Sequence, residues 1–206
     1  MNTKLLVLLV SIIILAALAG CVQQEATNGG EGLVLEKHVL FIIAQENFRD
    51  EELTEPKQAL EAAGAKVTVA SISTDEARGM LGMRIKPDIA VRDVNTAEYD
   101  MLVVVGGSGS PKLAEYPEVL NVIKRFDEQG KPIAAICLAP YVLAKAGVLG
   151  DKRVTVYPAD FALAELRRAN ATYVEEAVVV DGRLITADGP QSAKRFGEEI
   201  VKLLSE

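Results

Sequence analysis

Short apolar runs alternate with amphipathic stretches along the chain from residue 34 to its end. The apolar runs are flanked by polar residues, which is typical of strands buried on both faces of a sheet. The stretches between them place apolar residues at helical spacing, as helices that cover a sheet do. This alternation predicts a mainly parallel sheet with helices on both faces. The predicted strands are 38–44, 66–72, 101–105, 132–136 and 154–157, and the predicted helices are 56–63, 117–129, 138–146, 161–168 and 191–204.

Proline and glycine refine this outline at two places. Pro56 fits the first turn of its predicted helix, where the missing backbone N–H has no partner to lose. Asp181-Gly182 interrupts the apolar stretch 173–187, and this dipeptide is typical of a hairpin turn. We therefore expect one late pair of antiparallel strands beside the parallel ones. Residues 73–98 are polar and predicted to be irregular, with a short extended piece at 89–91.

The first 21 residues follow a different pattern. Lys4 precedes an apolar run, 5–19, in which Ser11 is the only polar residue, and Leu18-Ala19-Gly20-Cys21 completes the pattern. A positive start, a short apolar run and small residues predict a secretory signal. The run is short for a helix that must span a bilayer core of ~30 Å. The tetrapeptide L-A-G-C resembles the lipobox of prokaryotic lipoproteins, which implies cleavage before Cys21 and a lipid on its thiol.

This pattern divides the chain into three parts. Residues 1–20 are the predicted lipoprotein signal peptide, and 21–33 are a polar, Gly-rich tether that begins at lipidated Cys21. Residues 34–206 have the length of one ordinary domain. An uncleaved anchor helix is the alternative for the first part. Both alternatives predict a protein at the cell membrane. The lipoprotein signal predicts a lipid anchor on the extracytoplasmic face, and two acyl chains are enough for stable anchoring.

The charge and the scarcity of certain residue types narrow the functions to consider. Acidic residues outnumber basic ones, 29 to 22, which argues against a nucleic-acid partner because phosphate binding needs a basic patch. The two cysteines, one of them predicted to be lipidated, exclude a disulfide framework. One histidine and one free cysteine cannot build a structural zinc site, so no metal is expected. The glycine-rich segment 106–109 lacks the lysine of a phosphate-binding loop, and no cofactor is expected.

Cys137 stands at a junction that favours nucleophilic chemistry. Residues 132–140 read PIAAICLAP, so a buried strand ends at Cys137 and a helix starts at once, as in a nucleophile elbow. A thiol at a helix N-terminus is stabilised as thiolate. The N–H of Leu138, with a second donor from Gly106-Gly107 at the neighbouring strand end, can stabilise an oxyanion. The alternative is an inert cysteine in the core, which is the commoner fate of a cysteine in an apolar run.

The chain resembles the ThiJ/PfpI family of the class I glutamine-amidotransferase-like superfamily over residues 36–205. The elbow segment and the final DG…T…GP segment are the most specific parts of the match. The resemblance implies a flavodoxin-like three-layer α/β sandwich. The matching segments are VLFIIAQENFRDEEL at 39–53, LVVVGGSGSP at 102–111, GKPIAAICLAPYVLAKAGVL at 130–149, VTVYP at 154–158 and VVVDGRLITADGPQSAKRFGEEIVKLL at 178–204.

The family pattern also implies partners for the cysteine. It aligns a carboxylic acid at Glu52, which we expect beside Cys137 and protonated, because burial near a forming negative charge raises a carboxyl pKa. Leu138 stands where protease-like members carry a histidine, so efficient peptide hydrolysis is doubtful. His38 lies at the far end of the first strand and is a poor candidate base. Arg49 replaces an acid of many relatives, and either contacts an anionic substrate group or is simply exposed.

Three functions remain open from the sequence. The first is an enzyme in which Cys137 attacks small reactive carbonyl or amide substrates, as a hydrolase, glyoxalase or deglycase. The second is a redox or stress protein whose cysteine is oxidised to sulfenic or sulfinic acid. The third is a binding module that kept the fold and lost the chemistry. The resemblance also implies a homo-oligomer.

Overall fold

The computed structural model describes residues 34–206. The predicted signal peptide, the tether and Cys21 lie outside the described residues. Among these residues, no helix combines the length and the apolar character needed to cross a membrane.

In chain order the strands are β1 (His38–Ile42), β2 (Glu46–Phe48), β3 (Lys66–Ser71), β4 (Ala77–Gly79), β5 (Arg84–Ile85), β6 (Ile89–Ala90), β7 (Met101–Val104), β8 (Ile133–Ile136), β9 (Arg153–Val154), β10 (Thr172–Tyr173), β11 (Val178–Asp181) and β12 (Leu184–Ala187). The α-helices are α1 (Asp50–Ala62), α2 (Pro117–Glu128), α3 (Ala139–Ala146), α4 (Asp160–Arg168) and α5 (Ala193–Ser205).

Seven strands form the central sheet in the order β11-β12-β8-β7-β1-β3-β6. Every neighbouring pair is parallel except β11 and β12, which form the antiparallel hairpin around Gly182. The mainly parallel sheet with a late antiparallel hairpin is therefore confirmed. The carboxyl ends of β7, β8 and β12 meet at one edge of this sheet, where open α/β folds place their sites.

The two faces of the sheet carry separate apolar cores. Along β1, Phe41 belongs to one core and Leu40 to the other, as the alternation of side chains in a strand requires. The first core is completed by α1 and α5, and the second by α2, α3 and α4. Both cores rest on aliphatic side chains and phenylalanine, since the chain has no tryptophan. The result is the predicted flavodoxin-like three-layer sandwich.

Helix α1 starts six residues earlier than the sequence pattern predicts. The first turn holds Asp50, Glu51 and Glu52, whose negative charges favour a helix N-terminus. Pro56 lies inside the helix rather than in its first turn, so that prediction is wrong. A proline there removes the N–H that would bind the carbonyl of Glu52. The early start matters for the site, because it places the side chain of Glu52 on a rigid helix instead of a loop.

A second, three-stranded sheet takes two of its strands, β4 and β5, from the segment predicted to be irregular. Its order is β2-β4-β5, with β2 and β4 parallel and β4 and β5 antiparallel. Strands of two or three residues are too short to show an alternating pattern, which is why the sequence did not reveal them. The extended piece predicted at 89–91 is β6, at the edge of the main sheet. Strand β9 is shorter than predicted and ends at Val154.

Replacing Gly197 by Ala should destabilise the protein, although alanine favours a helix. Gly197 lies in α5 against α1, and a Cβ built on it would stand 2.8 Å from Pro56 Cα and 3.2 Å from Ala59 Cβ. Overpacking of this kind costs about 1–3 kcal/mol, more than the ~1 kcal/mol gained in helix propensity. Chemical denaturation of the variant measures the difference. A variant at least as stable as wild type would show that the two helices can move apart at little cost.

Candidate active site

Cys137 occupies the tight turn between β8 and α3. Its backbone has φ of 60°, a left-handed conformation that is strained for any residue except glycine. Hydrogen bonds hold it on both sides, since its N–H donates to Ala187 O at 2.9 Å and its carbonyl accepts from Tyr157 N at 2.9 Å. Only 8% of the residue is exposed. Strain at one residue, fixed by its surroundings, is typical of functional positions.

Two backbone donors face the sulfur of Cys137. The N–H of Leu138, at the N-cap of α3, and the N–H of Gly107, after β7, both lie near enough to the thiol to lower its pKa. Gly107 has φ of 101°, and a Cβ on it would collide with the backbone of residues 47–49. Only glycine therefore allows the loop after β7 to lie this close to the segment that precedes α1.

Glu52 lies on the first turn of α1 and is fully buried. A Cβ built on Gly106 would collide with Glu52 Oε2 and with Cys137 Cβ, so the carboxyl group and the cysteine are packed on either side of this glycine. Within residues 34–206, neither carboxyl oxygen has a hydrogen bond of good geometry. The Cys137 thiol and the Gly106 backbone are near enough to lower the pKa of the carboxyl group. The structure thus brings together the residues predicted for the site: Cys137, Glu52, Gly106, Gly107 and Leu138.

Burial dominates the protonation of this pair. It raises the pKa of the Glu52 carboxyl to about 8, against the smaller lowering effects of Cys137, Arg49 and Gly106. Burial, and then the charge that ionised Glu52 would carry, raise the pKa of the Cys137 thiol to about 12. The two N–H donors lower the thiol pKa but do not outweigh burial. At neutral pH the pair therefore keeps its protons, and it loses the first one near pH 8 as a unit.

Arg49 is at the rim of the site but is engaged elsewhere. Its guanidinium donates to both carboxylate oxygens of Glu51, at 2.8 and 3.0 Å. The side chain retains 26% exposure, and its positive charge lowers the pKa of Glu52. His38 lies at the opposite edge of the sheet, where its Nε2 is 2.8 Å from Thr68 Oγ1, so it is remote from Cys137.

Replacing Arg49 by Gln should raise the pKa of Glu52 further. The variant removes a cation that favours the carboxylate, and the effect should weaken at high salt because Arg49 is partly exposed. The apparent pKa seen in the pH dependence of Cys137 alkylation should move upward, and more at low ionic strength than at high. An apparent pKa that stays in place at low salt would mean that Glu51 already cancels the charge of Arg49.

Two residues near the site, Asp50 and Tyr157, were not predicted from the sequence. Asp50 is only 8% exposed and accepts hydrogen bonds from the backbone of Leu81 and Met83. Tyr157 binds the Cys137 carbonyl through its backbone, and its side chain remains 51% exposed. Tyr157 lies in the VTVYP segment, so its position could have been noted. For Asp50 the chain offers no local signal, because its partners come 31 and 33 residues later.

No group of three or more His, Cys, Asp or Glu side chains within residues 34–206 is arranged to hold a metal ion.

The chain is similar to known proteins over a range that includes every residue of this site. The model of the DJ-1/PfpI family matches residues 37–203. An uncharacterized protein of Methanocaldococcus jannaschii is 43% identical over 195 residues, 93% of this chain and 95% of that protein. A deglycase of Pyrococcus horikoshii is 33% identical over 81% of this chain and 98% of its own. The crystal structure of a ThiJ/PfpI domain protein from Brachyspira murdochii matches with a TM-score of 0.78 and 34% identity, over 81% of this chain and 95% of that one.

Proposed function

Since this chain belongs to the DJ-1/PfpI family, we propose that it is a cysteine-dependent enzyme that acts on small reactive carbonyl compounds or their adducts with amines. The observation that carries the proposal is the strained Cys137 between a buried carboxyl group and two backbone donors. The relative from Pyrococcus horikoshii is named a deglycase, which supports this substrate class. Cys137 and Glu52 are the proposed catalytic residues.

In the proposed reaction the sulfur of Cys137 attacks the carbonyl carbon of the substrate. A C–S bond forms, the electron pair of the C=O bond moves to the oxygen, and the N–H groups of Gly107 and Leu138 stabilise the oxyanion. The thiol proton passes through Glu52 to that oxygen, so that no net charge remains in the buried site. A carboxyl group with a pKa of about 8 is suited to this transfer near neutral pH, since it can hold the proton and also release it.

Peptide hydrolysis fits the site less well. A peptide leaves as an amine that must be protonated as the C–N bond breaks. Leu138 cannot supply a proton, and the single histidine of the chain is at the other edge of the sheet. Glu52 would have to serve both the thiol and the leaving group. We therefore favour carbonyl compounds and carbonyl–amine adducts, whose chemistry needs only the transfer described above.

Turnover of methylglyoxal, and release of amine from a freshly formed methylglyoxal–amine adduct, test the proposal. The purified protein should catalyse at least one of these reactions, and protein whose Cys137 has been blocked with iodoacetamide should catalyse neither. If intact protein shows no turnover while Cys137 still reacts with iodoacetamide, the enzyme proposal is wrong. Mass spectrometry after peroxide treatment would then separate a redox role, with one sulfur oxidised in each chain, from a binding module.

We further propose that the protein is a lipoprotein held at the extracytoplasmic face of the membrane through Cys21. The apolar run 5–19 and the L-A-G-C tetrapeptide support this location. Cells fed a fatty-acid alkyne should label the wild-type chain but not a Cys21→Ser variant; equal labelling would exclude this anchor.

A further inference from the structure

The buried carboxylate of Asp50 has a structural role that the proposed reaction does not use. It is two residues before Glu52, at the first position of α1, and its two oxygens accept different backbone hydrogen bonds. Oδ2 accepts from Leu81 N at 2.9 Å, and Oδ1 accepts from Met83 N at 2.8 Å. Hydrogen bonds to an ionised acceptor are stronger than neutral ones. Asp50 therefore holds the turn between β4 and β5 against the start of α1.

Gly79 makes this close approach possible. A Cβ on Gly79 would stand 2.6 Å from both Cγ and Oδ1 of Asp50, too near for any side chain. The hydrogen bond from Gly79 N to Met83 O, 2.8 Å, closes the turn around the carboxylate. The hairpin of residues 77–85 and the N-terminus of α1 thus form one unit that depends on the charge of Asp50 and on the absence of a side chain at Gly79.

The same hairpin touches the loop that faces Cys137. Met80 N donates to Phe48 O at 2.8 Å, and Met80 Sδ accepts from Ser108 N at 3.4 Å. Ser108 directly follows Gly107, whose N–H lies near enough to the Cys137 thiol to lower its pKa. On its other side this loop rests on the segment before α1, where Arg49 N donates to Gly106 O at 3.1 Å. A shift of the hairpin would therefore move the backbone donor of the site.

We propose that Asp50 is a positioning residue, which sets the position of the loop 106–108 relative to Cys137 through the hairpin 77–85. The inference rests on the proposed role of Cys137 as nucleophile, and it adds that the geometry of the oxyanion donors is fixed from outside the site. The carboxylate of Asp50 binds the backbone of the hairpin and not the sulfur of Cys137. Its effect is transmitted by backbone hydrogen bonds and by the contact of Met80 with Ser108.

Two variants separate the carboxylate from the hairpin by independent routes. Asp50→Asn keeps the size of the side chain, but its NH₂ group cannot accept one of the two N–H bonds. Gly79→Ala keeps the charge and forces the hairpin away by its Cβ. Asp88→Asn is the matched control, because Asp88 Oδ2 also accepts a backbone hydrogen bond, from Val69 N at 2.8 Å, but β6 and β3 are remote from Cys137 in the sheet order.

The rate of Cys137 alkylation by iodoacetamide, followed against pH, is the main measurement. Kinetic constants for methylglyoxal and the thermal midpoint are measured beside it. Both Asp50→Asn and Gly79→Ala should move the alkylation profile to higher pH, because a displaced Gly107 no longer favours the thiolate. They should also lower kcat by between about tenfold and a hundredfold with little change in KM. Asp88→Asn should lower the thermal midpoint and leave the profile unchanged.

The proposal is overturned if both variants, Asp50→Asn and Gly79→Ala, show the same alkylation profile as wild type under conditions where they are folded. Asp50 would then have a role in stability alone. If Asp50→Asn does not fold, Gly79→Ala decides by itself, since its carboxylate is intact. The alkylation profile needs no substrate. A protein that does not act on methylglyoxal would therefore refute the proposed substrate class while this measurement still tests the role of Asp50.

Discussion

Replacing Glu52 by Gln is expected to lower kcat/KM for carbonyl substrates by about 10²–10⁴-fold, the usual contribution of a positioned acid or base. The variant keeps the size of the side chain but has no proton to exchange. In the wild type the carboxyl group and the thiol share their protons, and the first leaves near pH 8. In the variant the thiol has no neighbouring carboxyl group that ionises before it, so the step near pH 8 should disappear from the alkylation profile of Cys137.

The same variant should be more stable than wild type in alkaline solution. In the folded protein Glu52 keeps its proton up to about pH 8, whereas in the unfolded chain it loses it near 4.5. The folded state thus binds more protons between these values, and stability falls as pH rises through the interval. This loss of stability is absent below pH 4.5 and complete above about pH 8, where it amounts to about 5 kcal/mol. Gln cannot ionise, so Glu52→Gln should lack this loss.

Urea denaturation at pH 5 and pH 9 measures the effect, and Glu55→Gln is the matched control. Glu55 lies on the exposed side of α1 and has the same side chain, but no contact with Cys137 is expected. The control should follow wild type in both activity and stability. Equal loss of stability with pH in wild type and Glu52→Gln would show that Glu52 is already ionised at neutral pH. The proposed proton transfer would then be untenable.

The main sheet could be predicted from sequence because its strands are buried on both faces. Runs such as 101–105 and 132–136 show a continuous apolar pattern that is typical of a parallel strand covered on both faces, and the structure places β7 and β8 within them. The hairpin between β11 and β12 was equally clear, since the first residue of its turn, Gly182, has a positive φ that glycine adopts without strain. These features are local, and a local pattern is sufficient to reveal them.

The parts that escaped prediction depend on contacts between distant segments. The role of Asp50 is set by backbone groups of the 81–83 turn, and β4 and β5 are too short to show a period of their own. The start of α1 was missed because Pro56 is a usual first-turn residue, whereas three acidic residues and the hairpin fix the true start. The neighbourhood of Cys137 and Glu52 was expected only through the family resemblance, since 85 positions of chain separate them.

Gly106→Ala is expected to disrupt the site by steric means alone. The backbone of Gly106 is not in the left-handed region, so alanine adds no strain in φ. Its Cβ would stand 2.5 Å from Ile136 O and 2.6 Å from Cys137 Cβ, and it would collide with Glu52 Oε2. The first two atoms belong to β8 and the elbow and cannot rotate away. We expect a loss of about 1–3 kcal/mol in stability and of about 10²-fold in kcat/KM, as overpacking and displaced catalytic groups produce.

Gly150→Ala is the control for this prediction, because a Cβ there meets no atom within 4 Å and the backbone again lacks a positive φ. It should be neutral or slightly stabilising, by about 0.4–1 kcal/mol, through a stiffer unfolded chain. Denaturation and the alkylation profile of Cys137 are measured for both variants. If Gly106→Ala retains the wild-type profile, the carboxyl group and the sulfur can separate without consequence. Glu52 would then act through its charge at a distance, and the close packing of the two groups around Gly106 would not be needed for the reactivity of the thiol.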